Sequence, residues 1–127
     1  MCWQAIAAGA NGLCYYSFGS LLNNLKGAAF DAAWADVVAV AREVKAKEAM
    51  LLSDPGPVVT DVPKGLVVRT WADAKTYHVL VVNATTTPVK ATLRLPFVVD
   101  GKDELSVDFA PLEHRICQGL KQNVFSD

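Results

Sequence analysis

The chain has 127 residues, a formal net charge of −1, 52% hydrophobic residues and 20% charged residues. This length sets an expectation of one domain or slightly more, and the apolar balance excludes a disordered chain. The near-zero charge gives no electrostatic basis for binding nucleic acid or an anionic membrane, and no apolar run approaches the roughly 18 residues of a spanning helix.

Residues 2–9, CWQAIAAG, suit a helix with Trp3, Ile6 and Ala7 on one side. Two turns are marginal for an isolated helix. Gly9 is placed to end it, and Gly12 to lead into a strand. That strand, residues 13–18 (LCYYSF), is apolar on both faces, as in a parallel sheet covered by helices on both sides. Each parallel neighbour requires a crossover of about a dozen residues, and none precedes Leu13. The expectation is that this chain is the tail of a larger α/β protein with a β domain behind it. Residues 1–14 lack a basic n-region, and Gln4, Gly9 and Asn11 interrupt their apolar stretch. They therefore do not read as a signal peptide. A secreted parent stays open, and the compartment is not assigned.

Residues 19–29, GSLLNNLKGAA, form a loop at the C-terminal end of the strand, where α/β folds put their ligands. A helix is expected from Asp31 to Met50, with Asp31 as its cap. Trp34, Val37, Val38, Ala41 and Val44 follow the helical period and make one apolar face. Arg42, Lys45 and Lys47 gather towards the C-terminus, where positive charge suits the dipole. The run Ser53-Asp54-Pro55-Gly56-Pro57 stops the helix and marks the domain boundary, giving segments 1–52 and 58–127.

Beyond it the pattern changes to short strands: 66–71, 77–83, 89–95, 105–109 and 114–117, with Val58 and Val59 as a further candidate. Alternation is clearest in VKATLRL, which sends Lys90, Thr92 and Arg94 to one face. Asp73-Ala74-Lys75 and Asp100-Gly101-Lys102-Asp103 suit hairpin turns. This spacing predicts an antiparallel β-sandwich. The expected fold class is α+β: a helix–strand–helix segment followed by a small sandwich.

Few residues suggest chemistry. Cys2, Cys14 and Cys117 match no zinc or redox spacing, and Cys14 reads as a small buried hydrophobe. His78 and His114 have no partner at metal-ligand spacing, so neither a metal nor another cofactor is expected. Ser17 lacks the His and acid of a triad. Lys45, Lys47 and Lys64 are scattered and form no phosphate patch. Asn83-Ala84-Thr85 is an N-glycosylation sequon, which matters only in a secretory context and otherwise is a chance match at a strand end. Trp71 reads either as an exposed carbohydrate platform or as a core aromatic, the second being favoured.

Residues 3–18, WQAIAAGANGLCYYSF, resemble the last helix–strand passage of (β/α)8-barrel glycoside hydrolases, with its alanine-rich helix, Gly-Ala-x-Gly turn and strand ending in aromatics. The likeness extends further. Residues 31–52, with Trp34, Val37 and Glu43, resemble the final barrel helix. The runs VVRTW (67–71) and YHVLVVN (77–83) resemble the first strands of the small sandwich that follows many such barrels, and DFAPLEHRI (108–116) resembles its closing strand.

The resemblance implies a (β/α)8-barrel remnant in residues 1–52, an accessory sandwich in residues 58–127, and carbohydrate as the parent's substrate. Glycoside hydrolysis uses two carboxylates, placed at strand ends in barrels. In relatives of this kind they come from earlier strands, and residues 13–18 contain no Asp or Glu. Asp31, Asp36, Glu43 and Glu48 read as cap and surface charges. No catalytic residue is therefore assigned, and the chain by itself is expected to be inactive. Tyr15, Tyr16 and Phe18 either line a sugar site, where concave surfaces favour aromatics, or fill the barrel interior. The second functional class is a free-standing sandwich module that binds a carbohydrate or protein partner. In the isolated chain the apolar helix face of Val37, Val38 and Val44 would lack most of its partners, so poor solubility or self-association is expected.

Overall fold

The computed structural model of the protein describes residues 2–11 and 27–121. The strand expected at residues 13–18 lies outside them, as does most of the loop that follows. The described residues fall into two compact units, residues 2–11 with 50–121, and residues 27–49.

In the first unit, helix α1 (Cys2–Ala7) buries Trp3, Ile6 and Ala7, the three residues its apolar period selects. It closes with a backbone hydrogen bond from Gly9 to Ile6 and one from Ala10 to Ala5, with Gly9 at φ 113°. This is the glycine-dependent helix stop expected from the sequence.

Six strands follow: β1 (Asp54–Pro55), β2 (Leu66–Ala72), β3 (Thr76–Asn83), β4 (Val89–Val99), β5 (Lys102–Phe109) and β6 (His114–Leu120). They form two antiparallel sheets, β1-β2-β3-β6 and β4-β5. The fold class is therefore α+β. Leu66, Val79 and Val81 of the first sheet meet Leu93, Leu95, Phe97, Val99, Val107 and Phe109 of the second in one core. Lys90, Thr92 and Arg94 are all exposed on the opposite side of β4, as the alternation requires.

The turns follow the expected chemistry. Asp100 and Gly101 both take positive φ, 51° and 79°, between the paired residues Val99 and Lys102. That is the geometry for which Asp-Gly hairpins are favoured. Strand β4 runs past Leu95, through Pro96, to Val99, with its register shifted between Arg94 and Val99. Proline cannot donate to the ladder, and it is accommodated at this irregularity. No strand forms at Val58 and Val59. Asp54 and Pro55 instead pair with Ala72 and Trp71, while Val59 packs against the core.

The four-stranded sheet is apolar on its second face too. Trp71, Leu80 and Val82 are buried but lie outside the inter-sheet core cluster. Helix α1 packs against β2 and β3, so its Trp3, Ile6 and Ala7 belong to this second apolar layer. Two side chains fix its placement beyond apolar contact: the Trp3 ring stacks on His114 at 5.1 Å, and Gln4 Nε2 donates to the Leu112 carbonyl at 2.9 Å.

In the second unit, helix α2 spans Ala28–Ala46; a short helix α3 (Glu48–Leu51) follows in the chain, its last two residues belonging to the first unit. Helix α2 begins three residues before Asp31, which corrects the expected cap. Gly27 occupies the N-cap position without a side-chain cap bond, and Asp31 lies in the first turn. Ala28 and Ala29 are strong helix formers and carry the helix upstream. In its actual place Asp31 still complements the positive end of the dipole.

Candidate functional site

Of the residues with a suggested role, Tyr15, Tyr16 and Phe18 lie outside the described residues. Asn83 and Trp71 are described, and both are inside the protein. Trp71 is 1% exposed. The guanidinium carbon of Arg69 stands 4.8 Å from its ring centroid, so the ring offers no open face for a sugar and is a packing residue. Asn83 is fully buried. Its Nδ2 donates to the carbonyls of Thr87 (2.8 Å) and Ala110 (3.1 Å). Its Oδ1 accepts from the Thr85 backbone N–H (3.0 Å) and hydroxyl (2.7 Å). Nδ2 is the atom a glycan would occupy, and here both its hydrogens are committed to holding the β3–β4 and β5–β6 connections together.

A concavity lies beside the β2–β3 hairpin. It is an open cleft of about 500 Å³ whose lining includes Ser53, Asp54, Asp73 and Lys121. Asp73 was expected only as a turn residue. It closes the hairpin, with Oδ1 accepting from the backbone N–H groups of Lys75 (2.9 Å) and Thr76 (2.8 Å). Its Oδ2 lies 3.0 Å from His78 Nε2. A carboxylate only accepts, so that nitrogen carries the hydrogen. The His78 hydrogen bond first, and the Lys75 N–H next, lower the Asp73 carboxyl to about 2. An acid so strong holds no proton to deliver near neutral pH. Three of its acceptor positions are occupied as well, so the cleft has no general acid and no free nucleophile in Asp73. The spacing Asp-x4-His across a hairpin is the signal that could have indicated the pair in the sequence.

The remaining candidates are structural. Burial raises the thiol pKa of Cys117, which keeps it out of the reactive thiolate form. Among the described residues, no group of three or more His, Cys, Asp or Glu is arranged to hold a metal ion. No described helix is long and apolar enough to cross a membrane.

A further polar arrangement is a docking contact. Arg69 Nη1 donates to the carbonyls of Ile6 and Ala10, both at 2.9 Å, and Nη2 donates to Asn11 Oδ1 at 2.9 Å. The Ile6 carbonyl already accepts from the Gly9 N–H and takes the guanidinium as a second donor, and a cation at a helix end also meets the negative end of the dipole. The planar fork of arginine serves several acceptors at once. Arg69 therefore anchors the end of α1, and the turn after it, to the middle of β2. Sequence reading missed this contact, because Arg69 sits at a position that alternation alone assigns no partner.

No protein-family model, curated protein or solved structure matches this chain.

Proposed function

We propose that this chain is the C-terminal part of a glycoside hydrolase-like protein, its residues 1–52 closing a (β/α)8 barrel and its sandwich serving as an accessory domain. The carbohydrate site belongs to the parent, whose catalytic carboxylates come from strands earlier than residues 13–18. Tyr15, Tyr16 and Phe18 are the residues of this chain that would reach that site.

The observation that carries the reading is the anchoring of α1 by Arg69. An accessory domain that grips a segment leading into a barrel strand would brace the barrel there. Here the grip falls on Ile6, Ala10 and Asn11, directly ahead of the strand expected at residue 13. Burial of Trp3, Ile6 and Ala7 adds apolar contact to the same attachment. The state of Asp73 fits a bracing role, because its carboxylate is spent on the hairpin.

The test has two parts. Purified chain is assayed against a panel of aryl glycosides, with no turnover expected. The coding sequence upstream of Met1 is read in the same frame, and barrel strands are expected there. Hydrolysis that depends on residues of this chain, or a genuine start site at Met1 yielding a stable monomer, would overturn the proposal.

A further inference from the structure

We propose that Asn11 is a site of spontaneous deamidation, and that the aspartate formed there turns its hydrogen bond with Arg69 into an ion pair that holds α1 more firmly. This rests on the Arg69 contact and not on the hydrolase reading. Asn11 is exposed and lies past the end of α1. Its Oδ1 accepts from Arg69 Nη2 at 2.9 Å, and no hydrogen bond holds its Nδ2 among the described residues. The carbonyl is thus polarised by a cation, while the group that must leave is free. Gly12 follows in the sequence, so no side chain screens the backbone nitrogen that would attack. Asn83 is the contrast within the same protein. It is fully buried, both hydrogens of its Nδ2 are bonded, and alanine follows it.

Water is the only co-reactant the chemistry needs. The Gly12 nitrogen gives its electron pair to Asn11 Cγ, and its proton passes to solvent. The oxygen of the tetrahedral centre becomes negative, and the charged donor Arg69 Nη2 is already in place to stabilise it. The Cγ–Nδ2 bond then breaks, ammonia departs with a proton from solvent, and a succinimide ring remains. Water opens the ring at either carbonyl. Attack at Cγ gives aspartate, and attack at the main-chain carbonyl gives isoaspartate; either way one water is consumed and one ammonia released. A guanidinium on the Cγ oxygen polarises that carbonyl and so favours aspartate. The new carboxylate meets Arg69 as a charged pair, stronger than the bond to a neutral amide. Residue 11 lies beyond the last turn of α1, where the opposing effect of the dipole on a carboxylate has fallen off.

The full chain is incubated folded at mildly alkaline pH and analysed by peptide mass spectrometry, with the guanidinium-unfolded chain as reference. Residue 11 is expected to convert in the folded chain, with a larger share of aspartate over isoaspartate than in the unfolded chain, while Asn83 stays intact. Asn11→Asp reproduces the product directly. It should slow hydrogen exchange in residues 5–10 about two- to fivefold, the range of an exposed ion pair, and high salt should remove the gain. In the Arg69→Gln background the same substitution should slow nothing. Asn11 intact in the folded chain while it converts in the unfolded one, conversion at Asn83 as fast as at Asn11, no enrichment of aspartate, or an Asn11→Asp chain whose exchange is unchanged or faster would overturn the proposal.

Discussion

Asp73 and His78 face each other across the β2–β3 hairpin, Oδ2 3.0 Å from Nε2. The bond, with the Lys75 N–H, lowers the Asp73 carboxyl from 3.8 to about 2. A carboxyl more acidic in the folded than in the unfolded chain stabilises the fold once deprotonated. Its contribution is complete above pH 3.8 and is lost as the pH falls to about 2. Thermal unfolding of the wild type and Asp73→Asn should therefore differ at neutral pH, with the wild type higher. The two melting temperatures should converge across that acid window. A gap that stays constant down to pH 2 would show that the carboxylate does not carry the effect.

Arg69 is the second point of leverage. Replacing it with Gln removes the charged fork from Ile6, Ala10 and Asn11. Hydrogen bonds to charged groups contribute about 1.5–3 kcal/mol each at most, and the bond to Asn11 is solvent-exposed, so about 1–3 kcal/mol of docking is expected to be lost. A two-turn helix does not persist unaided. Hydrogen exchange in residues 5–10 should accelerate about tenfold or more, while Val79 to Val82, in the centre of β3, should keep their protection. Arg69→Lys should recover only part of the effect, because a point charge cannot serve three acceptors as the fork does. Uniform acceleration across the sandwich would mean that Arg69 supports the whole fold.

What could be read from the sequence follows from what local patterns encode. Periodicity identifies which side of an element is apolar. It selected Trp3, Ile6 and Ala7, and it selected the outward face of Lys90, Thr92 and Arg94. Turn chemistry identified Gly9 and the Asp100-Gly101 hairpin, because few residues satisfy positive φ. Neither pattern says what covers an apolar side. The packing of α1 on β2 and β3 was invisible for that reason, since its contacts with Arg69 bridge about 60 residues. Asp31 misled because it is a good cap residue wherever it stands, while the two alanines before it carry the helix past it. Asn83 presented a sequon because the motif is defined by three side chains and carries no information on burial.

Asn83 can be tested on that point. All four of its hydrogen-bonding positions are matched, and Asn83→Ala strands the carbonyls of Thr87 and Ala110 next to a buried gap. Unsatisfied buried groups cost about 1–3 kcal/mol each, so a loss of about 2–4 kcal/mol is expected in denaturant unfolding. Expressed in a secretory host, the folded protein should carry no glycan at Asn83 by intact mass. A well-folded glycoform would show that Nδ2 is free of Thr87 and Ala110.

At Gly119, β6 lies close against β4 of the other sheet. This glycine pairs with Tyr77 in β3, and a Cβ added to it would collide with the carbonyl oxygen of Val98 in β4. That oxygen is backbone and cannot rotate away, so Gly119→Ala forces the strands apart. Overpacking of this kind costs about 1–3 kcal/mol, and a domain of this size loses about 4–8 °C of melting temperature per kcal/mol. Gly101→Ala is the contrasting case. Its Cβ meets nothing within 4 Å, but its φ is 79°, so it should cost about 1–2 kcal/mol of backbone strain alone. The two variants separate by where they act. Gly119→Ala should speed exchange in both β6 and β4, and Gly101→Ala should affect only the β4–β5 turn. If Gly119→Ala leaves β4 unperturbed, the two sheets are not in contact at Val98.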